Sequence, residues 1–66
     1  MDSRTVDEAM RKRLPVMYDG TRYDRITEYI SWYDRNRKHR LSVVLQRQRY
    51  SVRVPADKVT LEEETP

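Results

Sequence analysis

Between Tyr33 and Arg53 seven cations share the chain with a single acid: Arg35, Arg37, Lys38, Arg40, Arg47, Arg49 and Arg53 against Asp34. Like charge at this density repels itself unless solvent or an anionic partner screens it. Guanidinium groups suit bidentate phosphate contacts better than ammonium groups do, and most of the 14 basic residues are arginine. Two turns carrying Arg35, Arg37, Lys38, Arg40, Arg47 and Arg49 are the side chains to straddle a phosphate backbone. Tyr29 and Tyr33 precede the first turn. Rings next to cations can stack bases or cradle an extended peptide. The plainer account is that charged turns keep strand ends soluble and block edge-to-edge pairing, while rings fill a small core.

Other chemistry finds no support in the residues. The chain has no cysteine and one histidine, His39, so disulfides and thiolate metal sites are excluded and no metal is expected. Ser31, Ser42 and Ser51 have no general base at a fixed spacing. No glycine-rich loop is present to cradle a nucleotide, and Gly20 is the only glycine. Sixty-six residues can hardly wall off a water-shielded cleft. No catalytic residue and no cofactor are expected, and the chain is read as non-enzymatic.

Such a turn pair needs a scaffold, and the length bounds it to one small domain over residues 1–66. At this size a core supplies about 3–5 kcal/mol. Charged residues make up 38 % of the chain and the net charge is +3, with a basic middle and an acidic end. No apolar run reaches the length of a membrane span, and the first residues lack the apolar centre of a secretory signal. A cytoplasmic protein is the expectation, with no membrane partner.

The elements follow from periodicity and turn chemistry. Residues 5–14 read as a helix: Thr5 and Glu8 have capping-box spacing, and Val6, Ala9, Met10 and Leu14 make a narrow apolar stripe. Residues 1–4 are expected to fray, and Pro15 to end the helix. Val16–Tyr18 is a short strand before the Asp19-Gly20 turn. Residues 22–33 fit a helix face as well as a strand, and the weight of Ile, Thr, Tyr and Trp favours a long strand with a bend or bulge. If Ile26 and Ile30 face the core, Tyr29 and Tyr33 face outward, whereas Tyr18 and Trp32 are read as buried. Residues 34–38 form a turn with Asn36 in the left-handed position. Leu41, Val43 and Leu45 alternate with polar or smaller neighbours in the cleanest strand. After the Arg47-Gln48-Arg49 turn, Tyr50, Val52 and Val54 alternate likewise, and Pro55 breaks the ladder. Ala56–Lys58 suits one 3₁₀ turn, Val59–Leu61 resumes a strand, and residues 62–66 form an acidic, flexible tail. The expected core is Val16, Tyr18, Ile26, Ile30, Leu41, Val43, Leu45, Val52, Val54, Val59 and Leu61.

Short strands joined by tight turns point to a mainly β, five-stranded, partly open barrel over residues 16–61, with the short N-terminal helix across one end. The run Arg53-Val54-Pro55-Ala56-Asp57-Lys58-Val59 resembles the close of an SH3 domain, where a strand runs into proline, a 3₁₀ turn and a returning valine. Val16-Met17-Tyr18-Asp19 is similar to the SH3 opening strand. The resemblance implies an SH3-like barrel. It stops short of implying proline-rich ligands, because Asp57 or Lys58 stands where peptide-binding SH3 domains place a tyrosine. Leu14-Pro15-Val16-Met17-Tyr18-Asp19-Gly20, then Arg25-Ile26-Thr27, also resemble a group of short uncharacterised bacterial proteins, which implies a bacterial cytoplasmic origin and no activity.

Two functions are therefore expected of the chain. One is nucleic-acid binding through Arg35, Arg37, Lys38, Arg40, Arg47 and Arg49 with Tyr29 and Tyr33. The other is protein–protein interaction or a homodimer through an aromatic strand edge.

Overall fold

Helix α1 (Ser3–Lys12) begins and ends two residues earlier than the expected residues 5–14. Asp2 rather than Thr5 is the N-cap: its carboxylate accepts the Thr5 N–H at 2.8 Å. Aspartate is as good a cap as threonine or better, and Glu8, freed from the box, pairs with Lys12 at 2.8 Å instead. The first residues are not frayed, because the Met1 ammonium donates to the Ala56 carbonyl at 3.0 Å. The helix stops before Pro15. Arg13 takes a left-handed conformation (φ 54°), with its N–H on the Met10 carbonyl and the Leu14 N–H on the Ala9 carbonyl. This is a Schellman motif with arginine in the usual glycine position.

The computed structural model describes residues 1–62, so most of the expected acidic tail, residues 63–66, lies outside the described residues. The rest of the chain is mainly β. Strands β1 (Val16–Tyr18), β2 (Thr21–Tyr23), β3 (Arg25–Tyr33), β4 (His39–Arg47) and β5 (Tyr50–Pro55) precede a 3₁₀ turn (Ala56–Lys58) and β6 (Val59–Leu61). They form two antiparallel three-stranded sheets, ordered β2-β1-β6 and β3-β4-β5. Residues 22–33 are extended, as the β-branched and aromatic composition favours. The long strand is cut at Asp24 into β2 and β3, one in each sheet, which makes six strands rather than five. Among the described residues, no helix is long and apolar enough to cross a membrane.

The core joins both sheets and the helix through Val6, Ala9, Val16, Tyr23, Ile26, Val43, Leu45, Val54, Ala56 and Val59. Tyr18, Leu41, Val52 and Leu61 are half-buried at its margin. Three expectations fail together, and a bulge explains two of them. The β3–β4 register slips between Ile26 and Glu28. The extra residue inverts the alternation beyond it, so Ile30 leaves the face of Ile26 and pairs with Ser42 on the other side of the sheet, while Tyr29 and Tyr33, expected to face away from Ile26, join its face opposite Val43 and His39. Tyr23, set on the outer face with Tyr29 and Tyr33 when residues 22–33 are read as one strand, lies ahead of the break at Asp24 and is buried, 8 % exposed.

Candidate nucleic-acid interface

The two basic turns sit at opposite ends of β4. Each hairpin of a meander reverses the chain, so consecutive turns fall at alternate ends. Tyr33 pairs with His39 at one end and Arg47 with Tyr50 at the other. Nine strand residues between them span about 30 Å. Arg35, Arg37, Lys38 and Arg40 therefore form one cluster, and Arg47 and Arg49 a separate one, so they are not adjacent tips straddling one backbone.

Each tip is organised by one aspartate. At the first, Asp34 accepts the Asn36 N–H at 2.8 Å, the Lys38 N–H at 3.0 Å and the Arg40 Nε–H at 2.9 Å. Its own N–H donates to the Lys38 carbonyl at 3.0 Å, and its carbonyl accepts the Arg37 N–H at 3.0 Å. The backbone donors, foremost that of Lys38, and then the Arg40 guanidinium hold the Asp34 carboxyl below the usual aspartate range. Arg37, not Asn36, takes the left-handed conformation (φ 61°). Asn36 gives its N–H to the Asp34 carboxylate, and the chain reverses one residue later. At the second tip Gln48 has φ 53° and donates its N–H to Asp24 Oδ2 at 3.0 Å. Asp24 also stands 3.8 Å from Arg22, whereas Arg25 turns to Gln46 rather than to an acid.

This use of the acids leaves cations unpaired. Among the described residues, the ion pairs join Lys12 to Glu8, Arg22 to Asp24 and Glu62, and Arg40 to Asp34. Arg35, Arg37, Lys38, Arg47 and Arg49 are exposed and have no such partner. Arg40 is the one member of the expected set that is tied down.

The aromatics gather at the first tip. Paired residues of neighbouring strands share a face, so the pairings Tyr29–Val43, Ser31–Leu41 and Tyr33–His39 set Tyr29, Ser31, Tyr33 and His39 on one side of the sheet. Tyr29 is 47 % and Tyr33 72 % exposed. The Tyr33 and His39 rings lie 5.4 Å apart at a tilt of 53°, and the Ser31 hydroxyl meets His39 Nε2.

Trp32 occupies the opposite face and is not in the core. It is 39 % exposed, and its indole N–H donates to Ser42 Oγ at 3.1 Å, which satisfies that nearly buried hydroxyl. Trp32 borders an open groove of about 580 Å³ that also touches Arg40, Pro55 and Lys58. The groove sits where β5 has ended at Pro55 while β4 continues to His39. Sequence reasoning read Trp32 as buried and left Lys58 out of the expected site. A bulge was expected in residues 22–33, but no residue in the 25–28 segment marks its position. Near the second tip burial, with the Tyr50 hydroxyl alongside, raises the Tyr23 phenol above its usual range. The described residues bring together no group of three acidic or imidazole side chains that could hold a metal ion. No family model, curated protein or solved structure matches the chain.

Proposed function

We propose that the chain is a non-enzymatic, SH3-like binding module of the cytoplasm that holds single-stranded nucleic acid at its first hairpin end. The SH3-like part of the reading rests on the strand–Pro55–3₁₀–Val59 sequence, with β6 returning to pair with β1. The nucleic-acid part is carried by one observation. Among the described residues, Arg35, Arg37 and Lys38 stand without acidic partners beside Tyr33, because Asp34 is committed to backbone amides and to Arg40. Single strands are favoured over duplex because exposed rings stack unstacked bases without regard to sequence. Tyr29 and Tyr33 offer such rings on one face of the hairpin and Trp32, with Lys58 across the groove, on the other. Arg47 and Arg49, about 30 Å away, belong to a different surface.

Fluorescence anisotropy with labelled single- and double-stranded oligonucleotides, across salt, tests the reading. Three phosphate contacts on a single strand give a log–log salt slope of roughly −2. The reading is sunk if no oligonucleotide binds at low salt, or if replacing Arg35, Arg37 and Lys38 by alanine leaves the slope unchanged.

A further inference from the structure

Among the described residues, strand β3 has β4 on one side and no strand on the other. Main-chain groups alternate in direction along a strand. At the ends of the hairpin Asp34 N–H donates to the Lys38 carbonyl and Asp24 N–H to the Gln46 carbonyl, so even-numbered β4 residues turn their amides to β3. Their partners Ile30 and Trp32 turn inward. Tyr29, Ser31 and Tyr33 therefore point their N–H and C=O groups outward.

Sheet edges are commonly blunted by lysine, proline or a bulge. The far edge, β5, carries Arg53 and ends in Pro55. In β3 the bulge comes early, at Ile26/Glu28, and Tyr29 to Tyr33 contain neither charge nor proline. All five residues are exposed apart from half-buried Ile30. Three of the five are aromatic.

We infer that β3 pairs antiparallel with β3 of a second copy, about a two-fold axis at Ser31. The edge is complementary to itself. In this register Tyr29 stands opposite Tyr33 of the second copy on one face, and Ile30 opposite Trp32 of the second copy on the other. The outward groups of Tyr29, Ser31 and Tyr33 all find partners. Centring on Ile30 would set Glu28 against Trp32, and centring on Trp32 would set Ile30 against Asp34. The like-charge pair in the chosen register, Glu28 against Asp34, is relieved by Arg40, already on Asp34 at 2.9 Å. The interface is isologous, so it closes at two copies. It joins two three-stranded sheets into six strands and lines up four tyrosines between two basic tips. It does not depend on the nucleic-acid reading: a dimer without affinity for oligonucleotides, or a monomer with it, separates the two.

Light scattering after size exclusion, carried to millimolar concentration, is expected to give twice the 8.1 kDa chain mass. Ser31→Lys sets two ammonium groups on the axis and is expected to return the particle to 8.1 kDa with its circular dichroism unchanged. Ser31→Cys supplies the only thiol in the chain. The Cα separation of such a pair, about 5.5 Å, lies within disulfide reach, so oxidation is expected to link most copies, whereas Ser51→Cys on β5 leaves them unlinked. A particle of 8.1 kDa at millimolar concentration overturns the inference. So does equal cross-linking through positions 31 and 51.

Discussion

The Asp34 carboxylate accepts the Arg40 Nε–H at 2.9 Å, and the same carboxylate accepts two turn amides. That relationship divides the cations of the first hairpin end into two kinds. Arg40 serves the turn, and Arg35, Arg37 and Lys38 remain available to a ligand.

Replacing Arg35, Arg37 and Lys38 by alanine is expected to abolish oligonucleotide binding at moderate salt and to flatten the log–log salt slope by about 2. Arg40→Ala is expected to act differently, lowering thermal stability more than the salt slope. Arg47→Ala with Arg49→Ala, at the other end of β4, is expected to leave both affinity and slope within error. Anisotropy titrations at several salt concentrations, beside thermal melts, check all three.

Tyr33 is the most exposed of the aromatic rings. Tyr33→Ala is expected to cost roughly 1–3 kcal/mol of single-strand binding, the range of one stacked base, while Tyr33→Phe keeps most of it. Equal losses in both variants would point to the hydroxyl and against stacking.

Stability is expected to fall at both ends of the pH scale. Asp34 is held below the usual aspartate range, first by the Lys38 N–H and then by Arg40, and Asp2 is held low by the Thr5 N–H. A carboxyl with a lowered folded value adds stability above its unfolded pKa of about 3.9. That stability is lost as pH drops through the lower folded value. Tyr23 is raised by burial, so its contribution is complete below its unfolded value of about 10 and is lost as pH climbs through the folded one. Melting temperatures across pH should show both limbs, with Asp34→Asn flattening the acid limb and Tyr23→Phe the alkaline one.

Leu45 is fully buried between the sheets. Leu45→Ala is expected to cost about 2–5 kcal/mol, comparable with the whole stability of a core this small. Circular dichroism should find the variant largely unfolded at 25 °C, and a cooperative native-like melt would show that the core tolerates the loss.

Patterning carried the reading of the sequence where one rule governed a whole segment. Leu41, Val43 and Leu45 alternate without interruption, and Pro55 through Val59 combine a missing N–H with a single 3₁₀ turn, so β4, β5, the 3₁₀ turn and β6 were legible. Residues 22–33 were legible as extended, but the faces were not. A break at Asp24 and a bulge two residues later reset the alternation, which brought Tyr23 inside and turned Ile30 and Trp32 to the other face. Neither event has a glycine or proline to mark it. The helix start misled because Asp2 and Thr5 are both good caps, and only docking of Met1 on Ala56 favours the earlier one. The charged side chains of the site were legible one by one. Their separation was not, until the two hairpins were known to flank one strand.

Among the described residues, four other than glycine have positive φ: Arg13, Asp19, Arg37 and Gln48. Residues with a Cβ pay roughly 1–2 kcal/mol for the left-handed region, and asparagine or glycine would relieve it. At Gln48 the relief is expected to be simple, so Gln48→Gly raises the melting temperature without touching the first hairpin end. Arg37 is different, since its strained backbone carries one of the three unpaired cations. Randomising position 37 separates the two pressures. Variants selected for ligand binding should keep a basic residue there against the pull of stability, and variants selected for stability alone should move toward asparagine or glycine.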